Sequence, residues 1–506
     1  MPPRTESTYP DPQMKIAKIR TTPLLCRFKQ PYHWSQGVNY AAPLILIEID
    51  TDEGVTGIAE CTASPTIDPV LRIIGDAIPH FIGKSVYDGN RTIWDYYRYS
   101  FNAQGTGSAP RYFSQAMAGI ELSLWDAVGK AAGQPLHRLL GGAVRDEVRY
   151  FGFVQGDKPE ELATHAKSLV DQGFDVLYVK VGRGEAMDLE IVGAVRKAVG
   201  NVRLRLDANE VWDIMEARRM FEKLRPYDLD FIEQPVPGPG GAEILAQLRA
   251  TTSIPIAADQ SVYTPQDVYD ICRSRAADAI VLGLHETCGV LRFQKAAAIA
   301  EAAGIRICLH GVFESGITTC ATNQVAATLP NLDDGNQIMW QLLEEDLVES
   351  PSLKPVKGGL PISTKPGLGF ELDRDAVGRA AEAHRKQAKR SPRRRARDSL
   401  GDLEAEAQDL VGRLARLTAS VVYDALRGLG ADNPILPARI RCLTGPVPLA
   451  GRIFTVAGRE RLGVAREART DALTGGSSAK VPGTGVGRRT AQKTESQILR
   501  PRALPS

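Results

Sequence analysis

The amino-acid sequence predicts an α/β protein whose main domain is a (β/α) barrel of the TIM type. A smaller α+β domain precedes the barrel, and a basic, partly disordered extension follows it. Three observations predict this organisation. Short apolar segments alternate with amphipathic segments after residue 150, polar residues end successive strands at a nearly constant interval, and the charge changes sign near residue 380. With 43% hydrophobic and 24% charged residues among 506, the composition is that of a folded globular protein.

The first domain is predicted over residues 14–142. Residues 43–58 contain two apolar runs separated by a short turn sequence, which indicates a β-hairpin. Residues 116–133 carry apolar side chains at helical spacing and end at a glycine shortly before Pro135, as a helix does.

The barrel is predicted over residues 143–380. Strand-like runs alternate there with segments of helical periodicity, and so many consecutive βα units favour a closed barrel. An open doubly wound sheet is the alternative, but no Gly-x-Gly-x-x-Gly turn follows any of the runs. The predicted strands are residues 176–181, 202–207, 230–234, 254–259, 279–284 and 305–310.

Charged or ionisable side chains end five of these strands. They are Lys180, Asp207, Glu233, Asp259 and His310, separated by 27, 26, 26 and 51 residues. The last interval spans two units, and Gly283 takes the position of the intermediate strand end. Because the C-terminal ends of barrel strands meet at one mouth, where catalysis takes place, these side chains are expected to share a cavity.

Three carboxylates in one cavity would repel each other unless a cation compensates them. Oxygen ligands of this kind suit a hard ion such as Mg²⁺, with Mn²⁺ as a substitute. A metal bound to a substrate carboxylate stabilises the enediolate that forms when the neighbouring C–H proton is removed. A lysine beside the cation, with a lowered pKa, suits the role of base. The pattern therefore predicts metal-assisted proton abstraction next to a carboxylate.

The same residues resemble the mandelate racemase/muconate lactonizing branch of the enolase superfamily. The resemblance covers roughly residues 14–380, and it implies that the first domain is the capping domain of that family. The motifs that carry it are LYVKVG (177–182), LDANEVW (206–212), IEQPV (232–236), AADQS (257–261), AGIELSLWDAVGKAAGQPLHRLLGG (118–142) and PGLGFELD (366–373). The last of these resembles the closing segment of the barrel, which is expected to pack back on the cap.

The resemblance implies a role for each matching residue. Asp207, Glu233 and Asp259 match the metal ligands, Lys180 the base on the second strand, and His310 the histidine on the seventh strand. The candidate substrate-binding residues are Tyr178, Asn209, Tyr32, Trp34, His285 and Glu314.

Two positions depart from the family pattern. Tyr178 stands where the family often has the first lysine of Lys-x-Lys, so a higher pKa or a different orientation of Lys180 is expected. Gly283 stands where the sixth strand usually presents an aspartate that partners the histidine, or a lysine in the cycloisomerases. A cycloisomerase is therefore disfavoured, and His310 lacks its expected partner. The residues that could substitute are His285, Glu286 and Glu314.

The fate of the enediolate decides the reaction. If His310 protonates a β-hydroxyl, water leaves and a sugar acid becomes a 2-keto-3-deoxy acid. If it returns the proton to carbon, the result is racemisation or epimerisation, and a non-catalytic metal-binding homologue is the third hypothesis. Residues 28–39 match the family's specificity loop in position. Their hydrogen-bonding groups suit a hydroxylated substrate better than an aryl one.

The extension differs from the body in charge. Residues 381–506 hold 24 of the 62 Lys and Arg residues and 12 of the 60 Asp and Glu residues, a net charge of +12, which leaves −10 for the rest. An acidic body does not favour nucleic-acid binding. Residues 381–402 are predicted as a basic linker and 458–506 as disordered. Residues 403–457 resemble a truncated start of the family of the regulator of ribonuclease activity and 4-hydroxy-4-methyl-2-oxoglutarate aldolase. A keto-acid aldolase would act on a dehydratase product, so this resemblance favours the dehydratase over the racemase or epimerase.

The remaining expectations concern the protein's surroundings. Seven scattered cysteines without a Cys-x-x-Cys pair fit reduced thiols in a cytoplasm. The N-terminal residues show no secretory signal pattern, and no apolar run reaches the ~20 residues of a membrane helix. The expected partner is a small-molecule carboxylate, and the chain is expected to form a homo-oligomer.

Overall fold

A computed structural model describes residues 14–390, apart from 36, 65, 101–109 and 239. The described part lies in one compact unit that ends at Arg390. The segments predicted as aldolase-like (403–457) and disordered (458–506) lie outside the described residues, as does most of the predicted linker. No helix in the described part is both long and apolar enough to cross a membrane.

The first domain consists of an antiparallel sheet covered by helices. Its strands are β1 (Ile16–Trp34), β2 (Gly37–Thr51) and β3 (Thr56–Thr62), and its helices are α1 (Ile67–Phe81), α2 (Gly89–Ser100) and α3 (Pro110–Ala131). The predicted hairpin is the β2–β3 pair, and the predicted helix at 116–133 matches α3, which begins six residues earlier and ends at Ala131. Helix α3 lies directly on the sheet because Gly119 has no side chain: a Cβ there would be 2.7 Å from Cβ of Cys61.

A short helix, α4 (Leu136–Leu139), and strand β4 (Glu147–Arg149) lead into a parallel sheet of seven strands in sequential order. The strands are β5 (Gly152–Phe153), β6 (Val176–Lys180), β7 (Arg203–Asp207), β8 (Phe231–Glu233), β9 (Ile256–Ala258), β10 (Ala279–Leu282) and β11 (Arg306–Leu309). The helices that follow them are α5 (Pro159–Asp171), α6 (Glu185–Val199), α7 (Ile214–Leu224), α8 (Gly241–Arg249), α9 (Pro265–Arg273), α10 (Val290–Ala302) and α11 (Gly316–Ala326). Each predicted strand coincides with one of these.

An irregular segment, residues 331–337, joins the two edges of this sheet. Leu332 forms a parallel bridge with Ile307 at one edge, and Asn336 forms one with Tyr150 at the other. The Asn336 side chain also accepts a hydrogen bond of 2.8 Å from the backbone N–H of Leu309. The segment therefore takes the place of an eighth strand and closes the barrel, although it was not predicted as one.

The chain then returns to the first domain. Strands β12 (Val348–Ser350), β13 (Gly359–Pro361) and β14 (Glu371–Leu372) precede helix α12 (Arg374–Arg390). Ala376, Val377 and Ala380 of α12 are buried in the same apolar cluster as Leu24 and Leu46 of the cap sheet. Helix α12 therefore packs on the cap, and the predicted linker at 381–402 overlaps its end.

Candidate active site

The parallel register brings the predicted site residues side by side. Lys180 at the end of β6 is paired with Asp207 at the end of β7, and Asp207 is paired with Glu233 at the end of β8. Asp259 directly follows β9, and His310 directly follows β11. All five side chains are at least nine-tenths buried except that of His310, which is 11% exposed.

The lysine flank, defined as Tyr178, Lys180, Asp207, Asn209 and Glu233, forms a continuous network. Lys180 Nζ contacts Asp207 Oδ2 and donates a 2.8 Å hydrogen bond to Asn209 Oδ1. The Tyr178 hydroxyl lies 2.5 Å from Asp207 Oδ2 and 2.9 Å from Glu233 Oε1. The tyrosine thus bridges two of the three carboxylates, and its ring stacks on Phe151 with centroids 4.3 Å apart.

A tight turn after β7 places Asn209 beside Lys180. Asn209 has a φ of +46°, a conformation that asparagine tolerates better than most residues. Its backbone N–H donates a 2.7 Å hydrogen bond to Asp207 Oδ1. The first carboxylate and the asparagine are therefore fixed relative to each other by local chain geometry.

Buried charges shift the pKa values on this flank. Burial lowers the pKa of Lys180, but the acidic groups around it, led by Asp207, outweigh burial and raise it. Burial and the neighbouring carboxylates Asp207 and Asp259 raise the pKa of Glu233 well above its ordinary value. The lowered lysine pKa expected from the sequence is not produced by the protein groups themselves.

The histidine flank, defined as Asp259, Gly283, Glu286 and His310 together with Arg111 from α3, is more loosely joined. His310 Nε2 lies 3.6 Å from Asp259 Oδ2, and His310 Nδ1 lies 3.7 Å from Glu286 Oε2. Arg111 Nη2 lies 3.9 Å from Glu286 Oε1. These separations exceed hydrogen-bond length, so the groups interact chiefly through their charges.

The charges on the histidine flank favour an ionised carboxylate and a protonated ring. Burial lowers the pKa of His310, but Asp259 and Glu286 raise it to about 9. Burial opposes ionisation of Glu286, yet His310 and Arg111 lower its pKa to about 2. Burial raises the pKa of Asp259 to about 6 despite the nearby histidine.

The strand-end carboxylates have the donor chemistry of a hard divalent cation. Asp259 Oδ2 is buried without a hydrogen-bond partner, as expected of an oxygen meant for a ligand. Among the described residues, however, no three or more His, Cys, Asp or Glu side chains are already grouped as a ligand set. Lys180 and Tyr178 instead contact oxygens of Asp207 and Glu233, so a bound ion would have to draw the three carboxylates together.

The tip of the β1–β2 hairpin reaches the lysine flank. Tyr32 is buried among aromatic rings, and burial raises the pKa of its phenol to about 12 against the opposing charge of Lys180. Trp34 is partly buried against the same cluster. A Cβ on Gly182 would lie 2.9 Å from Cβ of Ser35, so the hairpin tip packs against the turn that follows Lys180.

His285 and Glu314 occupy different surroundings. His285 Nε2 lies 3.0 Å from the carbonyl oxygen of Glu60, so this ring connects the barrel to cap strand β3. Glu314 Oε1 accepts a 2.7 Å hydrogen bond from the backbone of Met339, while Oε2 is buried without a partner. Burial raises the pKa of Glu314 to about 7. Of the three residues considered as partners for His310, Glu286 is the one whose carboxylate faces its ring.

Two family models match the chain. The "Mandelate racemase / muconate lactonizing enzyme, N-terminal domain" model covers residues 17–141, and the "Enolase C-terminal domain-like" model covers residues 161–376. Muconate cycloisomerase 1 of Rhodococcus opacus is 30% identical to the chain over 72% of it and 98% of the cycloisomerase. The chain belongs to the mandelate racemase/muconate lactonizing enzyme family of the enolase superfamily.

Relatives in this family catalyse several reactions. D-galactonate dehydratase of Pectobacterium atrosepticum is 30% identical over 72% of this chain and 94% of the dehydratase. Other relatives are named as epimerases. A solved enolase structure from Pseudomonas fluorescens with bound magnesium, potassium and tartrate is 25% identical, covers 73% of this chain and 93% of that one, and superposes with a TM-score of 0.66. This chain is therefore an enolase-superfamily enzyme, a lyase or an isomerase.

The structure adds two side chains to the histidine flank that the sequence did not single out. Glu286 was only one of three alternatives, because it lies in the turn after β10 and not at a strand end. Arg111 was not predicted, since it comes from α3 of the cap, 175 residues from Glu286 along the chain. Neither position carries a spacing signal that would have identified it.

Proposed function

We propose that this enzyme removes the proton next to a carboxylate in a Mg²⁺-dependent reaction, with Mn²⁺ as a substitute. The proposed overall reaction is dehydration of a sugar acid, or a related hydroxy acid, to a 2-keto-3-deoxy acid. Dehydratases of D-galactonate and D-xylonate among the relatives support the substrate class.

The observation that carries the proposal is the arrangement of two ionisable groups around the three carboxylates. Lys180 contacts the first carboxylate, Asp207, and His310 faces the last, Asp259, with Glu233 between them in strand order. A substrate held over the carboxylates would therefore have an amine at one side and an imidazole at the other. This is the arrangement that a stepwise reaction with a base and an acid requires.

Asp207, Glu233 and Asp259 would hold the metal. The ion would neutralise the charge that develops on the substrate carboxylate and would lower the pKa of Lys180. Asn209 would keep the lysine aimed at the substrate, because its Oδ1 accepts the hydrogen bond of 2.8 Å from Nζ. Tyr178 would keep two ligand carboxylates oriented through its shared hydroxyl.

Lys180 and His310 each carry one proton transfer of the proposed dehydration. Neutral Lys180 Nζ accepts the proton from the carbon next to the carboxylate. Protonated His310 donates to the β-hydroxyl, the C–O bond breaks, and water leaves. The enol that remains becomes the 2-keto acid when its β-carbon takes a proton from solvent and its hydroxyl group loses one. Lys180 loses its proton and His310 regains one before the next turnover.

A panel of aldonic and aldaric acids, with D-galactonate, D-xylonate and tartrate first, tests the proposal by trapping keto acids with semicarbazide. We expect keto acid from at least one member, and a loss of about 10²–10⁴-fold in Lys180→Met, since a positioned base contributes that much. Lys223→Met, at a surface lysine that pairs with Glu185, is the matched control. Activity that survives in Lys180→Met would overturn the assignment of the base.

The second candidate is a racemase or epimerase that uses the same two groups. It is favoured by the placement of Lys180 and His310 at different carboxylates, Asp207 and Asp259, and by the epimerases among the relatives. In D₂O, epimerisation would place deuterium in recovered substrate with inversion and yield no keto acid. In His310→Asn, the dehydration hypothesis predicts loss of keto acid while Lys180 continues to exchange the substrate proton.

The remaining proposals rest on sequence alone. The scattered cysteines support a cytoplasmic location, and the family resemblance supports a homo-oligomer acting on a small-molecule carboxylate. The division into a cap at 14–142 and a barrel at 143–380 stays a prediction. We also propose that residues 403–457 are a truncated aldolase-like segment, which would associate this enzyme with keto-acid metabolism.

A further inference from the structure

The glycine at the end of the sixth barrel strand leaves room for a neighbouring side chain, and its backbone conformation does not require a glycine. Gly283 follows β10, and its φ is not positive, so the backbone there accepts any side chain. A Cβ at this position would lie 2.1 Å from Glu286 Oε2 and 3.4 Å from Cβ of His310. The carboxylate of Glu286 therefore occupies the volume that a strand-end side chain would fill.

The same carboxylate faces a ring nitrogen that has no other partner. His310 Nδ1 is buried without a hydrogen-bond partner, and Glu286 Oε2 lies 3.7 Å from it. The other ring nitrogen, Nε2, is on the side of Asp259, at 3.6 Å. A shift of the Glu286 carboxylate by roughly 1 Å towards the ring would bring Oε2 to hydrogen-bond distance of Nδ1.

A closed turn determines where Glu286 lies. The backbone N–H and the hydroxyl of Thr287 both donate to the carbonyl of Gly283, at 3.1 and 2.8 Å. The turn is attached to the cap by His285 on the carbonyl of Glu60 and by Glu121 on the backbone N–H of Val290. On its far side, Arg111 faces Glu286 Oε1. The carboxylate is therefore supported from the barrel and from the cap.

We propose that Glu286 is the positioning residue for His310, and that it replaces a strand-end carboxylate by reaching back into the space over Gly283. The role of His310 as acid rests on the proposed function. A carboxylate on Nδ1–H fixes the tautomer and the orientation of an imidazole, so that Nε2 faces the substrate. The low pKa of Glu286, which His310 and Arg111 produce against the effect of burial, keeps this carboxylate ionised at neutral pH.

The first experiment does not depend on substrate. Histidine-selective ¹⁵N labelling of the full chain reports the state of Nδ1 for each of the seven histidines, and His310→Gln assigns the signal. We expect a hydrogen-bonded Nδ1–H on His310 that is lost in Glu286→Ala, which removes the acceptor. We expect it also to be lost in Gly283→Ala, because the added methyl group displaces the carboxylate. An Nδ1 signal that both variants leave unchanged would overturn the proposal.

The second experiment moves the carboxylate to the strand end. Glu286→Ala should lower the rate of the His310 step by about 10²-fold or more, whereas exchange of the substrate α-proton by Lys180 continues. Adding Gly283→Asp to that variant should restore at least about tenfold, because the aspartate then occupies the vacated space beside the ring. Glu190→Ala on the exposed face of α6 is the control.

The two experiments separate failure of this proposal from failure of the proposed function. If none of the acids is turned over, the proposed function fails, and the NMR signals still test the contact. If turnover is found but Gly283→Asp restores nothing and Glu286→Ala slows both steps equally, Glu286 is only structural. Circular dichroism and thermal unfolding of each variant identify any loss that comes from misfolding.

Discussion

The two flanks of the site differ in how completely the protein satisfies their polar atoms. On the lysine flank, every side-chain oxygen and nitrogen that is buried has a hydrogen-bond partner within the chain. On the histidine flank, one atom each of Asp259, Glu286, His310 and Arg111 is buried without such a partner. Both flanks lie at the same mouth of the same barrel, so the difference does not come from location alone.

The contrast between the flanks indicates where the chain itself satisfies the buried polar atoms and where it does not. An unsatisfied buried polar group costs about 1–3 kcal/mol, so a flank with four of them is expected to satisfy them by a small rearrangement, as proposed for His310 Nδ1, or by binding a ligand. The lysine flank, by contrast, is already held by Tyr178 and Asn209. We infer that a ligand will supply new partners to the histidine flank, whereas a bound ion will have to exchange contacts that the lysine flank already makes.

Glu233→Gln changes the carboxylate that lies between Asp207 and Asp259 in strand order. It should have the largest effect on Mg²⁺ binding and on turnover. Wild-type protein at a Mg²⁺ concentration of 100 times Kd should gain about 2.7 kcal/mol of unfolding free energy, and the variant should gain almost none. Turnover should fall on the order of 10³-fold, since charge stabilisation of the intermediate is lost. Thermal unfolding with and without Mg²⁺ and keto-acid assays measure the two effects.

The matched control for Glu233→Gln is Glu185→Gln, at a carboxylate that pairs with Arg219 and Lys223 on the outer helices. It should retain both the Mg²⁺ effect and turnover. If Glu233→Gln is stabilised by Mg²⁺ as strongly as wild type, the strand-end carboxylates are not the metal site.

Tyr178→Phe tests whether the hydrogen bonds of the lysine flank contribute to Mg²⁺ binding, and it should have an intermediate effect on Mg²⁺ affinity. Phenylalanine keeps the stacking on Phe151 but loses the hydroxyl that joins Asp207 to Glu233. Outer-shell hydrogen bonds to metal ligands are worth about 10–100-fold in metal affinity, so Mg²⁺ affinity should weaken by that factor. Titration of activity with Mg²⁺ measures it. Tighter binding would mean that the hydroxyl competes with the ion for the carboxylates.

The same contrast explains how much could be predicted from the sequence. Lys180, Asp207, Glu233 and Asp259 are equivalent positions of a repeated βα unit, so regular spacing and parallel register bring them together. The barrel could be predicted from the sequence because it is built from the same repeated unit.

The histidine flank has no such regularity. Glu286 reaches back from a turn, and Arg111 arrives from the cap through tertiary packing. The closing segment 331–337 forms its barrel contacts through single bridges and the Asn336 side chain, and it has no strand-like apolar pattern. These features depend on contacts between distant parts of the chain, which periodicity does not encode.

Glu121→Gln tests the attachment of the histidine flank to the cap and should have the smallest effect on turnover. Glu121 is buried on α3 and accepts the backbone N–H of Val290 at the start of α10. Burial raises its pKa from 4.5 to about 7. The folded state therefore binds an extra proton between these pH values, and the stability that this group contributes falls as pH rises through that window.

Glutamine keeps the acceptor and removes the charge, so turnover should change little while the pH dependence of stability becomes flatter. Relative to wild type, the unfolding free energy of Glu121→Gln should improve by up to about 3 kcal/mol between pH 4 and pH 8. Urea unfolding at a series of pH values measures this difference, and Glu190→Gln, at an exposed helical position, should show none of it. A constant difference across the series would mean that Glu121 ionises normally in the folded state. The turn that carries Glu286 would then be attached to the cap by a charged carboxylate, and Glu121→Gln would be expected to weaken that attachment.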